Sequence, residues 1–62
     1  GEFLIVGDEI IGKRYTIRDL SGKLILSNKI KENKEQVNIS GLKKGIYFLE
    51  IEGLIPKRIV LN

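Results

Sequence analysis

The fold is decided by residues 45–52, which read Gly45-Ile46-Tyr47-Phe48-Leu49-Glu50-Ile51-Glu52. From Tyr47 onward, an apolar side chain at every second position alternates with Phe48 and then with two glutamates. A period of two places successive side chains on opposite faces of a β-strand, whereas a helix needs a period of about 3.6. The segment therefore predicts a strand with one apolar face and one mainly polar face.

The same alternation recurs on both sides of this segment, with Tyr15 and Ile17 in one stretch and Val37 and Ile39 in another. Glycine, aspartate and asparagine separate the stretches at short intervals, as expected of turns. No segment predicts a helix convincingly. We expect an all-β domain, a small antiparallel Ig-like β-sandwich of about six to seven strands. The predicted strands lie near residues 3–6, 13–19, 23–30, 35–39, 46–52 and 57–61.

Two stretches are continuously apolar, residues 24–26 and residues 59–61. Such runs indicate strands that are covered on both faces, or strands whose outer face meets a partner. Pro56 lies just before the second run and has no amide hydrogen to donate to a sheet. We therefore expect Pro56 at the start of a strand or on a sheet edge.

Composition limits both the core and the chemistry. The chain has 62 residues and no cysteine, so its core depends on isoleucine, leucine and valine, with help from Phe3, Tyr15, Tyr47 and Phe48. Histidine, methionine and tryptophan are also absent. This excludes zinc fingers, nucleophilic triads that use Cys or His, and imidazole acid–base catalysis. We expect no enzymatic activity, no catalytic residues, no metal and no cofactor.

The net charge is +3, and lysines and arginines are interspersed with acidic residues, as on a solvated surface. Residues 44–51 are loosely similar to an RNA-binding motif, but the second glycine and the flanking helices are missing. Glu50 and Glu52 share a strand face and could hold calcium if other oxygens converged there. Pairing of these glutamates with basic residues at a solvated surface is the favoured interpretation.

Three motifs follow one another along the chain. They are Asp19-Leu20-Ser21-Gly22-Lys23, then Leu42-Lys43-Lys44-Gly45-Ile46-Tyr47, and finally Lys57-Arg58-Ile59-Val60-Leu61-Asn62. In this order and spacing the sequence resembles the type IX secretion C-terminal sorting domains of Gram-negative bacteria. That family has an Asp-x-x-Gly-Lys hairpin, a Leu-x-x-Gly-x-Tyr motif and a basic-then-aliphatic end. The resemblance covers nearly the whole chain from Tyr15 onward.

Each motif also has a physical interpretation. Asp19, Gly22 and Lys23 fit a tight hairpin turn, in which aspartate begins the turn and glycine accepts a positive φ. Gly45 allows the backbone to turn sharply into the next strand. Tyr47 then points inward, where its ring fills much of a small core and its hydroxyl can reach the rim.

The resemblance implies that residues 1–62 form one C-terminal sorting domain, either with or without its first strand. Such a domain has no chemistry of its own and directs an N-terminal cargo through the outer-membrane translocon. The implied partners are that machinery, a sortase-like peptidase and the cargo, with a homodimer as an option and no nucleic acid. The implied location is secreted or at the cell surface, by way of the periplasm. The implied recognition residues are Gly45, Tyr47, Lys57, Arg58, Ile59, Val60 and Leu61.

Two other classes of function remain as alternatives. An Ig-like accessory module of an extracellular enzyme would bind carbohydrate or protein, but exposed aromatic residues for stacking on sugars are few and tryptophan is absent. A small basic barrel could bind single-stranded nucleic acid through a groove of aromatic and basic residues.

Overall fold

A computed structural model describes residues 2–62 and contains six strands joined by short connections. Each strand lies within one residue of its predicted bounds. The connection after the first strand includes a single 3-10 turn, Asp8–Ile10. In the part of the chain described, no helix is long and apolar enough to span a membrane. The strands are β1 Glu2–Val6, β2 Arg14–Asp19, β3 Leu24–Lys29, β4 Lys34–Asn38, β5 Gly45–Ile51 and β6 Lys57–Leu61.

The strands form two antiparallel sheets. The larger has the order β3-β2-β5-β6, and the smaller pairs β1 with β4. The predicted all-β antiparallel sandwich is therefore confirmed, with six strands, and the arrangement is compatible with an Ig-like fold. Pro56 precedes β6, which is an edge strand, so both expectations for this proline are met.

The core lies between the two sheets. Ile5 and Val37 project into it from the small sheet, and Tyr15, Ile17 and Tyr47 project from the large sheet. These positions are the inward half of the alternation seen in the sequence. Each large apolar side chain buried in this way contributes about 1.5–3 kcal/mol, which is a sizeable share of the stability of so small a domain.

Two further core residues come from the connections. Ile10 lies in the 3-10 turn and Ile30 follows β3, and their exposed fractions are 1% and 0%. Backbone hydrogen bonds hold their segments together: the Gly12 amide donates to the Ile30 carbonyl at 2.8 Å, and the Ile30 amide donates to the Lys13 carbonyl at 2.7 Å. The β1–β2 and β3–β4 connections therefore close one side of the core jointly.

The apolar run at residues 24–26 contains a β-bulge. Ile17 pairs with Leu26, whereas Arg18 pairs with Leu24, so Ile25 is an extra residue in β3. As a result Ile25 and Leu26 both pack against the core, while Leu24 lies on the outer face and is 49% exposed. The prediction that this strand is covered on both faces is wrong for the described chain.

The run at residues 59–61 alternates instead. Ile59 and Leu61 pack against the core, and Val60 lies on the outer face with 51% of its surface exposed. Coverage on both faces is wrong here as well, because no described strand covers the outer face of the large sheet. That this outer face meets a partner stays a prediction.

Candidate recognition site

All seven residues that the resemblance assigns to recognition lie on one hairpin, formed by β5 and β6. Gly45 pairs with Leu61, Tyr47 with Ile59, and Leu49 with Lys57. Arg58 and Val60 take the remaining positions of β6. The two distant motifs at residues 42–47 and 57–62 therefore form a single local structure.

The start of this hairpin depends on Gly45 and Tyr47. Gly45 has a φ of +150°, a conformation that residues with a Cβ rarely adopt. Tyr47 is 7% exposed, and its hydroxyl donates a hydrogen bond to the Lys43 carbonyl at 2.7 Å. The ring thus lies in the core while the hydroxyl holds the loop that leads into β5.

The outward face of the hairpin is apolar and basic. Phe48 pairs with Arg58, and Ile46 pairs with Val60. We call these four residues the outer patch. Phe48 and Ile46 are half-buried, and Val60 and Arg58 are exposed. The sequence motifs assign neither Ile46 nor Phe48 to recognition, although the alternation of residues 45–52 places Phe48 on the opposite strand face from Tyr47.

The charged side chains on and around the hairpin differ in whether they form ion pairs. Arg18 of β2 lies beside Phe48, and its Nε is 3.8 Å from Glu50 Oε1. The Arg18 guanidinium also donates to the Gly22 carbonyl at 3.1 Å. This is the one side-chain ion pair within residues 2–62, so neither Arg58 nor Lys57 has a carboxylate partner there.

The glutamates considered for calcium are engaged elsewhere. Glu50 faces Arg18, and Glu52 Oε1 accepts a hydrogen bond from the Arg14 amide at 2.6 Å. Among the residues described, no three or more carboxylates, histidines or cysteines converge as metal ligands. The favoured interpretation, a surface where these glutamates meet basic residues, fits this geometry for Glu50.

The turn motif lies at the end of β2. One oxygen of Asp19, Oδ1, accepts hydrogen bonds from the Ser21 hydroxyl at 2.6 Å, the Ser21 amide at 2.9 Å and the Lys23 amide at 3.0 Å. The Ser21 hydroxyl is the main cause that lowers the pKa of Asp19 below its ordinary value, and the two amides add to it. Gly22 completes the turn at a φ of +90°.

The comparisons with known proteins identify the family. The family model described as "Secretion system C-terminal sorting domain" matches residues 3–61, from β1 to the last residue of β6. This chain belongs to that family. The resemblance to type IX sorting domains is therefore confirmed, and a sorting-signal family is not a catalytic one. Neither a search of curated proteins nor a search of solved structures found a match.

In this sorting domain, five of the seven residues divide into two groups by the direction of their side chains. Tyr47, Ile59 and Leu61 pack in or against the core, so they shape the hairpin from within. Arg58 and Val60 point outward and are accessible to a partner. Lys57 is also exposed, and it lies beside an open groove between the sheets.

Proposed function

We propose that this sorting domain directs a larger cargo protein through the type IX outer-membrane translocon. The family match over residues 3–61 carries the proposal, because members of this family are sorting signals of a secretion system. The cargo would precede β1, reach the periplasm by its own signal and end at the cell surface or outside the cell. A sortase-like peptidase would act at the junction of the cargo and the domain. In this proposal residues 1–62 form one domain.

The outer patch is the part of the hairpin best suited to direct contact with the translocon. It combines an apolar centre, Phe48 with Ile46 and Val60, with the guanidinium of Arg58, which has no carboxylate partner among residues 2–62. Apolar centres and arginines are enriched at protein interfaces, because both keep favourable contacts when water is removed. Gly45, Tyr47, Ile59 and Leu61 would act by positioning, since they fix the strand that carries Arg58 and Val60.

A secretion assay tests the proposal. The native domain is fused to a periplasmic reporter in a type IX-competent strain, and export is compared with that of a fusion lacking residues 57–62. We expect export of the native fusion only. Retention of the native fusion in the periplasm would contradict the proposal.

The deletion also removes Ile59 and Leu61, which pack against the core, so it can abolish export by unfolding the domain. A point variant separates the two effects. Val60→Asp adds a charge to the outer patch at a residue that is 51% exposed, and Leu24→Asp adds the same charge at β3, at a residue that is 49% exposed. We expect Val60→Asp to reduce export and Leu24→Asp to preserve it, with both domains folded.

The structure gives the carbohydrate-binding alternative no specific support. Sugar binding uses aromatic rings that stand free on a surface to stack against pyranose faces. Both tyrosines of this chain are buried, and both phenylalanines are half-buried. No aromatic ring in residues 2–62 is therefore fully exposed in the way that stacking on a sugar requires.

A further inference from the structure

An open groove of about 750 Å³ runs between the two sheets on one side of the sandwich. Its walls include four consecutive residues of β1, Phe3–Val6, and three consecutive residues of β6, Lys57–Ile59. Leu54 and Ile55 of the β5–β6 connection also line it. No element of the described chain fills this space.

The groove follows the free edges of two strands. Successive residues of a strand point to opposite faces, so a groove that touches four in a row must run along the edge of that strand. Within the described residues 2–62, β1 pairs only with β4, and β6 pairs only with β5. Each of these strands therefore keeps an edge of backbone N–H and C=O groups without a strand partner, which is a template for adding a further strand.

The size and polarity of the groove suit an extended peptide. β1 has five residues and is therefore about 17 Å long, enough to align a short strand. The apolar walls include side chains with large exposed fractions: Leu4 at 59%, Val6 at 61% and Ile55 at 88%. Isolated exposed apolar residues are ordinary, but several along one groove mark a binding surface.

The charges in the groove indicate what the peptide carries. Lys57 and Arg58 lie in one wall, and neither has a carboxylate within ion-pair distance among residues 2–62. Glu9 is the acidic residue of the groove, so cations outnumber carboxylates there by two to one. A carboxylate on the incoming strand would provide the missing partner, and complementary charge of this kind fixes register and orientation.

We propose that this groove accepts a β-strand of the translocon, with alternating apolar side chains and a carboxylate that meets Lys57 and Arg58. This inference rests on the proposed function for the source of the strand. It assigns a second contact to the domain, on the opposite edge of β6 from β5, in addition to the outer patch. Arg58 belongs to both surfaces, because it pairs with Phe48 in the outer patch and also lines the groove.

A titration of the isolated 62-residue chain tests the groove itself. The probe is a short peptide in which valines alternate with threonines and one end carries glutamates. We expect amide chemical shifts to change along β1 and β6 and to stay constant along β3. Two control peptides test separately the backbone hydrogen bonds and the charge of the peptide. One has alternate amides N-methylated, which removes the donors for strand pairing, and the other has lysines in place of the glutamates. Both are expected to bind at least about tenfold more weakly.

Matched variants locate the site. Ile55→Asp and Leu20→Asp each add one carboxylate at a strongly exposed apolar residue, 88% and 68% exposed, but only Ile55 lies in the groove. We expect Ile55→Asp to weaken peptide binding and to reduce export of the fused reporter, and Leu20→Asp to change neither. Because both side chains are exposed, both variants should keep the native spectrum.

The outcomes separate the two proposals. If the native fusion is exported and Ile55→Asp is exported equally well, the groove inference is wrong and the sorting function stands. If the native fusion is retained, the sorting function fails, and with it the translocon as the source of the strand. Shift changes spread over β3, or peaks that depend on protein concentration alone, would overturn the groove as a strand site, the latter in favour of self-association.

Discussion

Asp19 and Tyr47 lie directly opposite each other across the β2–β5 ladder. Asp19 closes the turn that leads to β3, and the Tyr47 hydroxyl holds the loop that leads into β5. Two motifs that are distant in sequence therefore meet at one end of the large sheet.

Truncation of Tyr47 should show the importance of its ring. We expect Tyr47→Ala to lower the free energy of unfolding by about 3–5 kcal/mol, because a buried aromatic ring leaves a cavity. Tyr47→Phe removes only the hydrogen bond to Lys43 and should cost about 1 kcal/mol. Urea unfolding followed by circular dichroism measures both. A Tyr47→Ala variant that unfolds like the parent would show that the ring is not part of the core.

Gly22 should be needed for its backbone conformation alone. An added Cβ would meet nothing within 4 Å at either Gly22 or Gly41, but only Gly22 has a positive φ, of +90°. We expect Gly22→Ala to cost about 1–2 kcal/mol. Gly41→Ala, the matched control, should change stability by less than about 0.5 kcal/mol. Equal effects in thermal unfolding would contradict a special role for φ at Gly22.

The Ser21 hydroxyl should control the pKa of Asp19. Because this hydrogen bond is the main cause of the lowered pKa, Ser21→Ala should raise the pKa of Asp19 toward its ordinary value of about 3.9. Leu20→Ala lies in the same turn, donates nothing to Asp19 from its side chain, and should leave that pKa unchanged. An NMR titration of the Asp19 carboxyl distinguishes the two variants. An unshifted pKa in Ser21→Ala would refute the assignment.

The Asp19 carboxyl should make the free energy of unfolding depend on pH. The pKa of Asp19 is lower in the folded chain than in the unfolded chain. The stability that the ionised Asp19 carboxylate adds to the folded chain is therefore fully present above about pH 3.9, and it is lost as the pH falls through the folded pKa. Asp19→Asn removes the titrating group. We therefore expect the unfolding free energy of Asp19→Asn to fall less between neutral pH and acid pH than that of the parent, in urea titrations repeated across pH.

Truncation of two neighbouring residues of β6 should lower the free energy of unfolding by different amounts. Ile59 packs against the core, whereas Val60 points outward. We expect Ile59→Ala to destabilise the domain by about 2 kcal/mol, the low end for loss of a large apolar side chain because Ile59 is only partly buried. Val60→Ala should cost less than about 0.5 kcal/mol. Similar losses at both positions in urea unfolding would mean that the strand faces are assigned wrongly.

The strands could be predicted from the sequence because their alternation is a direct result of strand geometry. Tyr47 with Leu49 and Ile51, and Tyr15 with Ile17, all project toward the core as that alternation requires. The turn at residues 19–23 could also be anticipated, since aspartate and glycine occupy the positions where a turn needs a side-chain acceptor and a positive φ.

The remaining core residues depend on tertiary contacts that no local pattern encodes. Ile10 and Ile30 are buried because two connections are hydrogen-bonded to each other across the chain, and neither lies within a strand of the structure. Ile25 turns inward because of a bulge, which breaks the alternation at a position that the sequence does not mark. The groove was also not predicted, because it results from how two edge strands are placed and not from any one segment.

β1 is held by fewer strand partners than the two central strands of the large sheet. The β1–β4 and β2–β5 pairings each close a loop of 27 residues, between Val6 and Lys34 and between Asp19 and Tyr47. Within residues 2–62, however, β2 and β5 each pair with two strands, whereas β1 pairs with β4 alone. Detachment of β1 therefore breaks one strand ladder, whereas detachment of β2 or β5 breaks two, so β1 is expected to open at a lower free energy. In the proposed function β1 is also the strand next to the cargo. Tension transmitted from a cargo in transit would therefore be relieved first by peeling β1 away, and the four-stranded sheet that carries the outer patch could stay folded while the junction extends.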